Sequence, residues 1–117
     1  MIRLALRQAQ RSQCRYRVGA ILAVGNRVLA ASPNLRRNNP AVTFTAATFH
    51  AEEAVLRRTS RTVGATLYVA RVDATDLPRL AKPCLRCQQA LKDSGITRVH
   101  YTVDAETVDV MDLVRIS

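Results

Sequence analysis

Residues 65–72 read ATLYVARV, and residues 82–103 read KPCLRCQQALKDSGITRVHYTV. The first stretch is nearly continuous in apolar character, as a central strand covered on both faces requires. The second starts a helix at Pro83, where a missing N–H costs nothing, and carries it to about Ser94. Gly95 stands where a helix C-terminus needs a residue tolerant of positive φ. Ile96 to Val103 then predicts another strand. Outward from this unit, Arg17 to Val24 is an apolar, β-rich run, Gly25-Asn26 is a two-residue turn signal, and Arg27 to Ser32 completes a hairpin. Ile2 to Ser12 predicts a helix with Ile2, Ala5, Leu6 and Ala9 on one face and Arg3, Arg7 and Arg11 on another. Phe49 to Thr59 reads as a helix on the strength of AEEAVLRR. Pro33 to Thr45 is irregular, Val72 to Lys82 is a loop with room for one extra turn, and the segment from Asp104 is either a short helix or a closing strand. The order α, β, β, α, β, α, β predicts an α/β fold: one sheet with helices on both faces.

The chain has 117 residues. That length predicts one domain over residues 1–117. Apolar residues make up 48% of it, which argues against disorder. No apolar run approaches the roughly 18–20 residues that span a bilayer, so no membrane role is expected. Arg3, Arg7 and Arg11 interrupt the apolar N-terminus and argue against a targeting segment. Two of the three cysteines form a C-x-x-C, which outside a secreted protein points to metal or redox chemistry and makes a cytoplasmic location the default. The formal net charge is +9. The whole excess lies in residues 1–61, which hold eleven arginines against Glu52 and Glu53. Such a balance fits an anionic partner, either nucleotide phosphate or nucleic acid, and equally a solvated basic surface.

Two segments carry the chemistry: His50-Ala51-Glu52 and Pro83-Cys84-Leu85-Arg86-Cys87, each opening a helix. Cys84 and Cys87 are three apart, so both sulfurs face one side, at a helix terminus whose free N–H groups favour thiolate. Zinc binds thiolates at about 2.3 Å, and a third ligand from His50 would leave one tetrahedral position open, as in catalytic sites. Glu52, two residues from the histidine, is placed to move a proton without binding the metal. A lone C-x-x-C would equally suit a redox pair or a structural zinc site, and a lone His-Ala-Glu says little. Together, each after a strand, they carry weight.

H-x-E followed by P-C-x-x-C is the signature of zinc nucleobase deaminases. Over nearly its whole length the chain resembles the cytidine deaminase-like superfamily, through RVGAILAVGNRVLAASPN, HAEEAVLRR, TLYVARV, KPCLRCQQAL and SGITRVHYT in that order. The resemblance implies a three-layer αβα domain around a mixed sheet of about five strands. It implies His50, Cys84 and Cys87 as ligands of Zn2+, Glu52 as the proton shuttle, Asn34 as a contact to the sugar and Ala51 as a backbone contact to the base. Small members are often homo-oligomers. His50, where the small tetrameric nucleoside deaminases have Cys, points away from that branch. SGITRVHYT and TLYV look most like the deoxycytidylate deaminase branch. The expected activity is conversion of cytosine to uracil in a small nucleotide or nucleoside such as deoxycytidylate. Arg36 and Arg37, just after Asn34, are candidates for holding phosphate. Two other readings stay open: a deaminase of cytosine or adenine in single-stranded nucleic acid, and a silent nucleic-acid-binding module that keeps zinc for its fold. Base-stacking aromatics are few, namely Tyr16, Phe44, Phe49, Tyr68 and Tyr101. Cys14 is expected to be a buried, inert thiol, and His100 a strand residue outside the ligand set.

Overall fold

The computed structural model describes residues 1–14, 16–36, 48–49, 51–60 and 62–113. Helix α1 (Ile2–Arg11) precedes the hairpin of β1 (Arg17–Val24) and β2 (Arg27–Pro33). Two-residue strands β3 (Leu35–Arg36) and β4 (Thr48–Phe49) pair with each other apart from the main sheet. Helix α2 (Ala51–Arg57), β5 (Thr66–Val72), β6 (Pro78–Arg79), α3 (Leu85–Asp93), β7 (Arg98–Thr102) and β8 (Val108–Asp112) follow. The main sheet runs β2-β1-β5-β7-β8, with β6 added beside β5. Among the described strands only β5 and β7 are parallel, and α3 makes the crossover between them.

The alternation of side chains across the pleat divides the core in two. Ala20 and Leu22 of β1 and Leu67 and Val69 of β5 pack with Ala51, Val55 and Leu91 on the α2/α3 face. Ile21, Tyr68 and Ala70 pack with Ala5, Ile2 and Leu6 of α1 on the other. ATLYVARV is thus mostly apolar because both of its faces are covered, and the sheet lies between two helical layers. Arg3, Arg7 and Arg11 point to solvent, as the α1 periodicity predicts. No helix among the described residues is long and apolar enough to cross a membrane.

The turn signals act as expected. Gly25 takes φ +57° between β1 and β2. Gly95 takes φ +82° past α3, its N–H bonding Lys92 O at 3.0 Å while the Ile96 N–H bonds Leu91 O at 3.0 Å. That pair of bonds is the Schellman arrangement. Gly95→Ala is therefore expected to lower stability by about 1–2 kcal/mol, because a Cβ disfavours this φ. Its Cβ would also lie 3.0 Å from Val63 Cα. Urea unfolding checks this: the midpoint should fall with the slope unchanged.

Of three segments, one takes one of the two forms left open, one differs from expectation and one lies mostly outside the described residues. The region after Asp104 resolves as the closing strand β8, antiparallel to β7. The sheet has six strands, because β6 forms inside the stretch read as a loop. Its cause lies far away in sequence: the Thr102 hydroxyl accepts from the Arg71 N–H at 3.2 Å and donates to Arg79 O at 2.7 Å. The Ala81 N–H then bonds Thr102 O at 2.8 Å. Most of the irregular stretch after Pro33 lies outside the described residues, although Pro33 itself ends β2.

The turn from β5 to β6 is built on Asp73. Its carboxylate accepts from the Thr75 hydroxyl at 2.6 Å, the Thr75 N–H at 2.8 Å, the Leu77 N–H at 3.1 Å and Arg79 Nε at 2.9 Å. Led by the two Thr75 bonds, these donors hold its carboxyl far below the usual carboxylate range. Arg17 ties the same turn to α1, bonding Asp73 O at 3.1 Å, the Asp76 carboxylate at 2.6 Å and Gln10 O at 3.0 Å. Residues 79–82 are thereby fixed beside the ends of β5 and β7.

Candidate active site

The two motif helices start on the same face of the sheet. Helix α2 begins at Ala51, so Ala51 and Glu52 of the motif open the helix. His50 itself lies outside the described residues. Ala51 is fully buried and Glu52 is 6% exposed, so the carboxylate is withdrawn from bulk water. Cys84 is the N-cap of α3, one position before the first turn in which the sequence places it, and Cys87 lies inside that turn. The Gln88 N–H bonds Cys84 O at 2.9 Å, and Gln88 Nε2 donates to Pro83 O at 2.8 Å, which fixes the start of the helix.

The two starts are joined. Arg86 Nη2 donates to Glu53 Oε1 at 2.7 Å, linking the residue between the cysteines to the neighbour of Glu52. The Cys84 and Cys87 side chains are hydrogen-bonded to each other, and the Glu52 charge reaches Cys87. Burial pushes the Cys87 thiol well up, and Glu52 and then Cys84 push it further. For Cys87 this reverses the expectation that a helix terminus favours thiolate: desolvation and a facing carboxylate outweigh the helix dipole. A divalent cation at the sulfurs would invert that balance. Two adjacent sulfurs are a donor pair that suits zinc. Among the described residues no three metal-ligating side chains form a cluster.

A cavity of about 290 Å³ opens at the carboxyl end of β5. Asn34, Ala51, Glu52 and Ala81 form its buried floor. Tyr16, Arg71, Leu80, Lys82 and Cys84 form its more exposed wall and rim. Of the residues singled out in the sequence, the structure thus brings Asn34, Ala51, Glu52 and Cys84 to one cavity, with Cys87 directly behind. Arg37 lies outside the described residues, and Arg36 is described only as backbone of β3.

Asn34 is held by the segment that leaves α1. Its Oδ1 accepts from the Ser12 hydroxyl and from the Val18 N–H at 3.0 Å, and its Nδ2 donates to Tyr16 O at 2.6 Å. The Cys14 thiol lies 3.5 Å from Asn34 O, so the third cysteine is a buried part of this support. An amide side chain has four hydrogen-bonding positions. Three are used here, which leaves one Nδ2 N–H for a ligand. His100 lies on the α1 side, its ring stacked on Tyr68 at 4.7 Å, and burial pushes its pKa down.

Arg71 and Lys82 were not singled out in the sequence. Lys82 directly precedes the Pro-Cys motif, and Arg71 ends the central strand, where α/β sheets place ligands. Either position could have flagged them.

Residues 1–103 match the family described as the cytidine and deoxycytidylate deaminase zinc-binding region. The chain belongs to that family. It is a hydrolytic deaminase of a zinc-dependent class. The fold agrees: the dCMP deaminase from the cyanophage S-TIM5 superposes with a TM-score of 0.67 at 23% identity, over 86% of this chain and 77% of that one. A structure from studies of A-to-I editing by tRNA:A34 deaminases gives 0.56 at 31% identity, over 86% and 72%. RibD from Acinetobacter baumannii gives 0.56 at 18%, over 86% of this deaminase and 26% of that chain. No curated protein matches the sequence.

Proposed function

We propose that this deaminase converts cytosine to uracil in a mononucleotide such as deoxycytidylate, with His50, Cys84 and Cys87 holding zinc. The observation that carries this reading is the cavity itself: Glu52 and Cys84 line one space of about 290 Å³, backed by Cys87. That volume is at the lower end of small-molecule sites, roughly 300–1,000 Å³, and suits one nucleotide better than a strand. Zinc there would supply Lewis acidity that makes a water reactive at neutral pH. The residues of the chain do the rest. Glu52, withdrawn from bulk solvent, accepts one proton of the attacking water and delivers it to the ring nitrogen of the base, then carries the water's second proton to the departing amine. The net change is loss of the exocyclic C–N bond, gain of C=O and release of ammonia. The backbone at Ala51 borders the base, and the remaining Asn34 N–H faces the sugar. Support from the fold comes from the cyanophage enzyme, which has been solved with dCMP and dUMP at 21% identity and a TM-score of 0.66.

The 31% identity to a tRNA deaminase favours a second reading, adenosine in a folded RNA. A panel separates the two: deoxycytidylate, deoxycytidine, cytidine, single-stranded DNA, single-stranded RNA and transfer RNA, with ammonia release as readout. Deoxycytidylate should turn over fastest. Faster release from transfer RNA, with affinity falling steeply as salt rises, would replace the mononucleotide reading.

A further inference from the structure

We propose that Arg71 and Lys82 form the phosphate-recognising edge of the cavity, and that a terminal phosphate, rather than the base alone, selects the substrate. The proposal rests on the mononucleotide reading above and assigns a role that the sequence gives to Arg36 and Arg37. Four observations carry it. Both side chains line the cavity whose floor holds Glu52. Both lie at its outer part: Arg71 is half-buried at the end of β5 and Lys82 is exposed. Neither takes part in an ion pair among the described residues, where such pairs engage Arg17, Arg79, Arg86 and Arg98 instead. Finally, both are held in place. The Arg71 guanidinium lies 5.0 Å over the Tyr16 ring, and the Arg71 backbone N–H donates to the Thr102 hydroxyl. Lys82 sits between Ala81, bonded to Thr102 O, and Pro83.

This arrangement suits a mononucleotide. The reacting base must reach Glu52 at the floor and Cys84 on the wall above it, so a 5′-substituent projects toward the outer part where Arg71 and Lys82 stand. An arginine stacked on an aromatic face keeps its N–H fork free for phosphate oxygens. A lysine beside it adds a point charge on a flexible stem. Two cations against one dianionic phosphate match in charge, and the carboxylate on the floor opposes any phosphate entering the wrong way round. None of the first-half arginines lines the cavity among the described residues.

Two measurements test this. In the first, kcat and KM are compared for deoxycytidylate and deoxycytidine in the wild type, Arg71→Gln, Lys82→Gln and the double variant. Each single variant should raise KM for deoxycytidylate about 10- to 100-fold, the range of a charged hydrogen bond. Values for deoxycytidine should stay within about twofold, and Lys82→Arg should retain most of the affinity. In the second, calorimetry compares binding of dUMP with that of deoxyuridine, which requires no turnover. The wild type should prefer dUMP, and the double variant should lose that preference. Arg3→Gln, on the solvent face of α1, serves as the charge control and should change nothing. If the wild type prefers the phosphorylated ligands and the double variant keeps that preference, the Arg71/Lys82 assignment fails while the mononucleotide reading survives. A wild type with no preference overturns both. Equal losses on both members of each pair would also overturn the assignment, since only a phosphate contact separates them.

Discussion

Glu52→Gln should slow ammonia release from deoxycytidylate by at least about 100-fold, and by up to about 10,000-fold, while zinc content stays at the wild-type level. The range is that of a positioned general acid/base. The amide keeps the size and shape of the carboxylate but cannot take a proton from water near neutral pH. Glu52 is 6% exposed, so bulk water cannot substitute for it. Its charge acts on Cys87, so its removal also tests whether the carboxylate holds metal or only moves protons. Metal analysis and ammonia release on the same samples decide between the two. Loss of activity with zinc retained confirms the shuttle. Turnover within tenfold of wild type would remove Glu52 from the mechanism, and joint loss of zinc and activity would make it a ligand. Thermal unfolding adds a control: replacing a buried carboxylate by a neutral isostere should leave Tm equal or higher, as is common where a site trades stability for activity.

The two candidate motifs were legible because each obeys a local rule. Pro83 and Gly95 bracket a helix whatever surrounds it, and His-Ala-Glu carries its spacing within a single turn. The two-faced core was legible for the same reason: Leu67 and Val69 alternate with Tyr68 and Ala70, and a strand has only two faces. What escaped depends on contacts distant in sequence. Strand β6 exists because Thr102 bonds both Arg71 and Arg79. No periodicity within Val72 to Lys82 reports that. The basic half of the chain pointed to Arg36 and Arg37, whose side chains lie outside what is described, and a charge count along the sequence has no depth. The second half is neutral in sum, yet Asp73 and Asp76 are committed to Arg79 and Arg17. Arg71 and Lys82 therefore stand at the cavity outside the ion pairs formed among the described residues.

Gly19→Ala should destabilise the fold by about 3 kcal/mol or more, the upper part of what overpacking costs. Gly19 lies in β1 between Pro33 of β2 and Ala70 of β5, facing α1. A Cβ there would stand 2.3 Å from Ala5 O, 2.3 Å from Ala9 N and 2.6 Å from Gln8 Cβ. Two of those atoms are helix backbone, so no rotamer change relieves the clash and α1 has to lift as a unit. Lifting it separates Ala5, Leu6 and Ile2 from Ile21 and Ala70, contacts that hold the whole second core. Dispersion falls off within an ångström, so even a small displacement forfeits much of that packing. The damage should reach the cavity as well, because the residues leaving α1 hold Asn34: Ser12 and Val18 donate to its Oδ1, and Tyr16 O receives its Nδ2. Urea unfolding should therefore show a large fall in midpoint, and the fraction still folded should have a raised KM. Gly25→Ala isolates steric contact from backbone strain. Gly25 also needs positive φ, at +57°, but no atom lies within 4 Å of a Cβ built there. It should lose only about 1–2 kcal/mol, the penalty of the left-handed conformation, with KM unchanged. Equal losses at the two glycines would mean that α1 is free to shift, and the close contact of helix and strand would not be what aligns Asn34 with the site.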